Sequence, residues 1–300
     1  RYAAKRLETL YFRTRSNCSS FASHPKQNEI QKGGSIMLEI KNIHKTFFPG
    51  TINEKHALRG LNLHLYPGDF TTVIGGNGAG KSTMLNAIAG VWPVDEGEII
   101  IDGENITKYP EHKRAIHIGR VFQDPMLGTA AGMQIEENLA LASRRGEKPG
   151  WAWSCGEKQR KIFREMLKEL GLGLEDRMTT RVGLLSGGQR QALTLLMATM
   201  KKPKLLLLDE HTAALDPKTA AKVLELTQQI VTRDQLTTLM ITHNMRDALA
   251  FGNRLIMLHN GQVIIDVKGE EKKGLTVRDL LEMFEKAAGA DAVSDRMLLG

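Results

Sequence analysis

The stretch Gly75-Gly76-Asn77-Gly78-Ala79-Gly80-Lys81-Ser82-Thr83 decides the fold of this chain. It follows the apolar, β-rich residues 70–74 and precedes residues 84–89, a run typical of a helix that ends at Gly90. A strand, a glycine loop with GxxxxGK(S/T) spacing and a helix together form the context of a phosphate-binding P-loop. A glycine-rich turn with a chance lysine is the alternative, which the complete motif and both flanks disfavour. The stretch therefore predicts a nucleoside triphosphate site.

The residue types of this loop suit triphosphate chemistry. Glycines let successive backbone N–H groups surround a β-phosphate, and the helix N-terminus adds a favourable dipole. Lys81 is suited to a position between the β- and γ-phosphates, and the Ser82 hydroxyl is suited to ligate Mg²⁺. The residues predicted to contact the nucleotide are Gly75, Asn77, Gly78, Ala79, Gly80, Lys81, Ser82 and Thr83.

Composition and charge exclude several functional classes. The 300 residues are 41% hydrophobic, and no apolar run approaches the roughly 18 residues of a membrane span. The net charge is +7, but residues 1–36 carry seven Lys/Arg against two acids, so the rest of the chain is nearly neutral. We therefore expect no nucleic-acid partner. Cys18 and Cys155 lack metal-ligand spacing, which favours a reducing compartment.

The first 36 residues differ from all that follows, being basic, rich in Ser, Arg and Asn, and without periodicity. One interpretation is an amphipathic targeting peptide. The second interpretation is based on Gly33-Gly34, because two adjacent glycine codons can form a purine-rich ribosome-binding sequence just upstream of Met37. We favour Met37 as the true start, with residues 1–36 an upstream leader. Under either interpretation we expect disorder there and a frayed tail at residues 288–300.

The remaining residues, 37–287, are predicted to form one domain. Alternation over residues 38–40 and 61–65 predicts half-buried antiparallel strands. From residue 205 onward a strand–helix–strand–helix order predicts a parallel sheet.

A helical segment of about residues 124–190 is predicted before that sheet, with helices at residues 134–143 and 158–170. The polar insert between those helices contains Trp151 and Trp153. We interpret these tryptophans as covering a helical layer, with a partner contact as the alternative.

Two acids follow the apolar residues 205–208, namely Asp209 and Glu210. The pattern predicts a buried strand that presents carboxylates at the edge where α/β sheets bind ligands. In a P-loop protein Asp209 would hold Mg²⁺, directly or through water, and Glu210 would polarise the attacking water. A buried strand with a polar end is the alternative, which the upstream P-loop disfavours.

The residues Leu185-Ser186-Gly187-Gly188-Gln189 precede an apolar helix. Ser186 is suited to cap that helix, and a helix N-terminus with a hydroxyl and glycine N–H groups is also an anion site. LSGGQ after a P-loop closely resembles the signature of ATP-binding-cassette (ABC) ATPases, over residues 38–265. The resemblance implies an α/β fold with a P-loop NTPase (RecA-like) core and mostly parallel sheet. It also implies an N-terminal antiparallel β-subdomain and an inserted α-helical subdomain.

The resemblance implies roles that spacing alone does not. Two such cassettes dimerise head to tail with ATP between one P-loop and the partner's signature. The signature residues that would contact the γ-phosphate bound by the other subunit are Ser186, Gly187, Gly188 and Gln189. Gln123, in Val-Phe-Gln-Asp-Pro, matches the Q-loop that senses Mg²⁺ or water. Asp216 matches the D-loop at the dimer interface, although it is equally suited to cap a helix that begins at Pro217.

Three further positions follow from the same resemblance. His243 matches the switch histidine that contacts the γ-phosphate. Phe47 matches the aromatic residue that stacks on adenine, with Phe48 as its rival. His211 is a departure, because many cassettes have proline after the glutamate; it either tunes the loop or faces solvent.

The resemblance implies an ATPase subunit that uses ATP and Mg²⁺ to drive transport. Expected partners are a second cassette, as a homodimer, a separate integral membrane permease and an extracytoplasmic substrate-binding protein, at the cytoplasmic face of the membrane. Residues 136–140 and 205–217 resemble bacterial amino-acid uptake cassettes, which favours import over export. An ABC protein acting on DNA is disfavoured, because 62 residues without heptads separate Gln123 from Ser186. A two-cassette translation factor is disfavoured by the single P-loop.

Overall fold

A computed structural model of the chain describes residues 35–147 and 156–288. In chain order the elements of these residues are β1 (Leu38–Phe47), β2 (Lys55–Leu65), β3 (Phe70–Ile74), α1 (Lys81–Ala89), β4 (Glu96–Ile101), β5 (Glu104–Asn105), α2 (Glu111–Arg114), β6 (Ile118–Val121), α3 (Ile135–Ser143), α4 (Glu157–Lys168), a 3₁₀ turn (Val182–Leu184), α5 (Gly187–Thr199), β7 (Leu205–Asp209), α6 (Pro217–Asp234), β8 (Thr237–Ile241), α7 (Met245–Ala250), β9 (Arg254–His259), β10 (Gln262–Lys268), α8 (Glu270–Lys273) and α9 (Val277–Ala288).

Two sheets organise these elements. The first is antiparallel with the order β2-β1-β4-β5, and the second has six strands in the order β10-β9-β3-β8-β7-β6. In the second sheet β3 runs parallel to β8 and β9, and β7 runs parallel to β6 and β8, while β10 is antiparallel to β9. This arrangement confirms the predicted α/β class, with one mostly parallel and one antiparallel sheet.

The apolar runs of the sequence form central strands because their side chains are buried. Every residue of β3 and β8 is buried, as are all residues of β7 except Asp209. Such continuous burial is typical of parallel strands covered on both faces by helices. In contrast, β1 and β2 mix buried and exposed residues, as strands with one solvated face do.

The predicted helices lie within one or two residues of their expected ends, as α3 and α4 show. The C-terminal helix α9 begins at Val277 and ends at Ala288. In the two described segments, no helix is long and apolar enough to span a membrane. The leader through residue 34, the tail from residue 289 and the insert with Trp151, Trp153 and Cys155 lie outside the described residues.

A buried arginine closes the C-terminus of α1, the helix that follows the glycine loop. Gly90 ends this helix in the left-handed conformation, with φ 86°. The Arg114 guanidinium donates to the carbonyls of Ala87 at 2.7 Å and Ile88 at 2.9 Å, and also to those of Thr107 and Tyr109. A cation at this end complements the helix dipole, and it donates to the Ile88 carbonyl and to the Ala87 carbonyl, which also accepts from the Gly90 N–H.

Arg114→Met should therefore lower the free energy of unfolding by roughly 3 kcal/mol, because it leaves buried carbonyls without donors. Urea unfolding followed by circular dichroism measures this change. The matched control is Lys108→Met, which removes an exposed cation close in sequence. Equal stability of the two variants would contradict the capping role of Arg114.

Candidate nucleotide-binding site

The glycine loop lies between the end of β3 and the start of α1, as the motif predicts. Gly80 immediately precedes α1 with φ 103°, and a Cβ there would lie 2.7 Å from the Ala57 carbonyl oxygen. A side chain is excluded at that position by both the backbone conformation and the neighbouring chain. The loop is thus shaped as a backbone cradle at a helix N-terminus, which fits a phosphate group.

Lys81 is folded back over this cradle. Its side chain is buried, and Nζ donates to the carbonyls of Gly75 at 2.6 Å and Gly76 at 3.1 Å. These bonds hold the ammonium group against the loop itself. A buried cation in this position is arranged to meet an anionic ligand.

A cavity of about 220 Å³ opens at the loop. Its lining residues are Phe47, Lys55, Ala57, Asn77, Gly78, Ala79, Gly80, Lys81, Ser82, Thr83 and Glu210. All the predicted loop residues except Gly75 are therefore on the cavity wall, and Gly75 instead holds the ammonium of Lys81.

The structure distinguishes between the two candidate aromatic residues. Phe47 lines the cavity and packs edge-on against Trp92, with ring centroids 5.0 Å apart. Phe48 is 66% exposed and is not among the lining residues of this cavity. Of the two aromatic residues, Phe47 is thus the one that lies on the cavity wall.

The two acids at the end of β7 lie on different cavities. Glu210 lines the loop cavity, whereas Asp209 lines a neighbouring cavity of about 470 Å³ together with Gln123 and Arg120. Burial raises the pKa of Asp209, and the Arg120 guanidinium, with Nη2 3.5 Å from Oδ2, opposes that rise. Of the three predicted Mg²⁺ ligands, Ser82 therefore lies on one cavity and Asp209 and Gln123 on the other.

His243 approaches Glu210 from the loop after β8. Nδ1 of the imidazole lies 3.8 Å from Oε2 of the carboxylate, and the His243 side chain is 64% exposed. The backbone N–H of Glu210 also donates to the Ile241 carbonyl at 3.1 Å. Two loops that are distant in sequence thus bring an acid and an imidazole together beside the glycine loop.

The signature residues and Asp216 occupy helix N-termini. Ser186 Oγ accepts from the Gln189 N–H, and Gln189 Oε1 accepts from the Ser186 N–H, which forms a capping box at α5. Asp216 accepts from the Thr219 N–H at 3.1 Å, and hydrogen bonds from Thr219 lower the pKa of Asp216. Both capping predictions are confirmed. None of these residues, nor Gly187 and Gly188, lines the loop cavity described above.

Two basic residues of the site were not predicted from the sequence. Lys55 begins β2 and lines the loop cavity. Arg120 donates to the Asn86 side chain at 2.8 Å and lies over the Phe122 ring, 4.5 Å from its centroid. The only sequence signal for Arg120 is a charged residue inside a short strand that otherwise reads as buried.

The oxygen atoms of Ser82 and Asp209 suit Mg²⁺ better than they suit a metal ion whose ligands all come from the protein. In the described residues no group of three or more His, Cys, Asp or Glu side chains is arranged to hold an ion. Mg²⁺ usually takes one or two protein oxygens and completes its shell with phosphate oxygens and water. The Ser82 hydroxyl and the Asp209 carboxylate have that chemistry.

Comparisons with known proteins agree with this geometry. Residues 58–213 match the family model described as "ABC transporter". The chain is 46% identical over 252 residues to the "Tyrosine transport ATP-binding protein" of Clostridioides difficile, which covers 84% of this chain and 100% of that protein. It is 32% identical to the "Phosphonates import ATP-binding protein PhnC" of Lactobacillus johnsonii, over 81% of this chain and 95% of that protein.

Solved structures give the same result. The dimeric post-hydrolysis state of the ATP-binding cassette MJ0796, bound to ADP and Pi, has a TM-score of 0.66 and 32% identity, covering 77% of this chain and 98% of its own. The ADP conformation of the cassette MJ1267 has a TM-score of 0.69 and 26% identity, covering 87% and 98%. The chain therefore belongs to the ABC transporter family, as one of its ATP-hydrolysing cassettes.

Proposed function

We propose that this cassette powers the uptake of an amino acid, with tyrosine as the first candidate, through a separate membrane permease. The observation that carries the proposal is the 46% identity to a tyrosine transport ATP-binding protein along that relative's entire length. The import function named for the phosphonate relative supports uptake over export. An exporter with separate membrane chains is the alternative.

In this proposal the glycine loop and Lys81 bind the β- and γ-phosphates, and Phe47 stacks on adenine. Glu210 lies on the same cavity and accepts a proton from the attacking water as its oxygen approaches the γ-phosphorus. His243, beside Glu210, donates to a γ-phosphate oxygen and so reports whether that group is present. Mg²⁺, held by Ser82, Asp209 and Gln123, would neutralise charge on the phosphate oxygens.

The proposed active unit is a homodimer. Ser186, Gly187, Gly188, Gln189 and Asp216 do not line the cavity of their own glycine loop, so within one chain they have no access to its nucleotide. A second copy in a head-to-tail arrangement would bring its α5 N-terminus to the open side of that cavity. The dimeric state of the MJ0796 cassette supports this arrangement.

The remaining partners follow from transport. An integral permease would be driven by the opening and closing of the dimer, which places the cassette at the cytoplasmic face of the membrane. A substrate-binding protein on the other side would supply the amino acid. The helical segment after Gln123 is the proposed docking region for the permease.

Glu210→Gln should leave ATP binding intact and lower kcat for ATP hydrolysis by about 100-fold or more, because a general base contributes that much. The bound ATP should then hold two chains together, which light scattering after size-exclusion chromatography measures. Glu225→Gln on the exposed face of α6 is the matched control. A kcat for Glu210→Gln equal to that of the control would remove Glu210 from this role.

Lys81→Ala should instead abolish nucleotide binding. At ATP concentrations about 100 times the dissociation constant, the native chain gains roughly 2.7 kcal/mol of stability, and this gain should disappear. Differential scanning fluorimetry with and without ATP measures the change. Lys268→Ala, an exposed lysine of β10, should keep the full ATP-dependent rise in Tm.

Tyrosine uptake by cells should depend on ATP hydrolysis by this cassette. In cells whose chromosomal copy carries Glu210→Gln, uptake of radiolabelled tyrosine should fall to the level of a deletion strain, because the permease loses its energy source. Uptake of methylphosphonate should be unchanged. A defect in methylphosphonate uptake alone, or faster tyrosine accumulation as expected after loss of an exporter, would exclude the proposal.

A further inference from the structure

His211, the residue that departs from the family pattern, is buried rather than exposed to solvent. Its side chain is only 2% exposed, and Nε2 lies 3.1 Å from Oγ1 of Thr227, in the middle of α6. The solvent-facing alternative is therefore wrong. A buried imidazole requires a hydrogen-bond partner to offset its desolvation, and Thr227 provides one.

The single proton of the Thr227 hydroxyl decides which group donates and which accepts in its contact with His211. The Thr227 hydroxyl has one proton, and its oxygen lies 2.8 Å from the Val223 carbonyl, to which it donates. The same oxygen must then accept from His211, so Nε2 carries the ring proton.

The residue before His211 is held in an unfavourable conformation. Glu210 has φ 42°, in the left-handed region that residues other than glycine avoid. Its own N–H donates to Ile241, and its carbonyl accepts from the Ala213 N–H at 2.9 Å, which closes a turn. Such strain persists only where the surroundings fix it, and the buried side chain of His211 is the adjacent anchor.

The other end of this connection is α6. Asp216 caps its N-terminus, and the Thr219 methyl group packs so closely on Gly188 that a Cβ at Gly188 would overlap it. One rigid helix therefore contacts both the loop that carries Glu210 and the signature at the start of α5.

We propose that His211 is a positioning residue for ATP hydrolysis: its hydrogen bond to Thr227 ties the Glu210 loop to α6 and thereby to the signature. The inference rests on the proposed role of Glu210. It assigns His211 no contact with the nucleotide. Loss of the bond leaves the carboxylate on the cavity but out of its productive orientation, which slows the chemical step without weakening ATP binding.

The test compares threonine variants of the full chain, because Thr227→Val keeps the shape of the side chain and removes only the hydroxyl, which accepts from His211 and donates to the Val223 carbonyl. Thr227→Val should lower kcat for ATP hydrolysis by about 10- to 100-fold, with KM for ATP within about twofold of the native value. Thr227→Ser keeps the hydroxyl and should restore most of kcat. Thr199→Val is the matched control, because Thr199 is a buried helical threonine whose hydroxyl donates to the Leu195 carbonyl at 2.8 Å.

A merely structural role would lower Tm equally in Thr227→Val and Thr199→Val and leave kcat at the native value in both. That result would overturn the inference, as would a kcat for Thr227→Ser as low as that for Thr227→Val. Glu210→Gln is measured in parallel. Full turnover in Glu210→Gln would mean that the proposed function of Glu210 has failed, whereas an inactive Glu210→Gln beside a fully active Thr227→Val would isolate the failure to His211.

Discussion

The parallel register of three central strands is the constraint on which the site depends. Val73 of β3 and Asp209 of β7 both pair with Ile241 of β8, so the three strands end at one level. The glycine loop, Glu210 and His243 each begin one or two residues beyond those ends. Because neighbouring parallel strands are about 4.8 Å apart, this register alone gathers groups from distant parts of the chain at one edge. A shift of one residue in the pairing of β7 would move the side chains of Asp209 and Glu210 each to the opposite face of the sheet.

Local chemistry made part of this architecture predictable from the sequence. Glycine spacing predicted the loop and the start of α1, and continuous apolar runs predicted the buried strands. Ser186 and Asp216 were predicted as caps because a side-chain oxygen followed by helix-forming residues acts within three positions of itself. Signals of this kind need no knowledge of the tertiary structure. The roles of Ser186 and Asp216 toward a partner's nucleotide came only from the family resemblance.

Long-range pairing accounts for what the sequence did not predict. Arg114 closes a helix that ends about 25 residues before it, and Arg120 meets Asp209 across β6 and β7. His211 could not be assigned to the interior, because its partner Thr227 lies 16 residues away on the buried face of α6. In each case a polar side chain pairs with a group that periodicity and spacing do not identify. Buried polar residues are therefore where the structure adds most to the sequence.

Electrostatics gives a physical reason why the proposed active unit is a homodimer rather than a single chain. Lys81 is buried against the glycine loop, whereas His243, 3.8 Å from Glu210, is 64% exposed to solvent. Two unit charges 4 Å apart interact by about 1 kcal/mol in water and several-fold more strongly where water is excluded. Covering this solvent-exposed part of the site would thus strengthen every contact to the γ-phosphate at once. The N-terminus of α5 has N–H groups and a hydroxyl suited to that purpose but does not line the cavity of its own loop, so in the proposed homodimer a second copy would supply the cover. Association of two cassettes and binding of ATP would then favour each other, because each removes water from the interactions that the other requires.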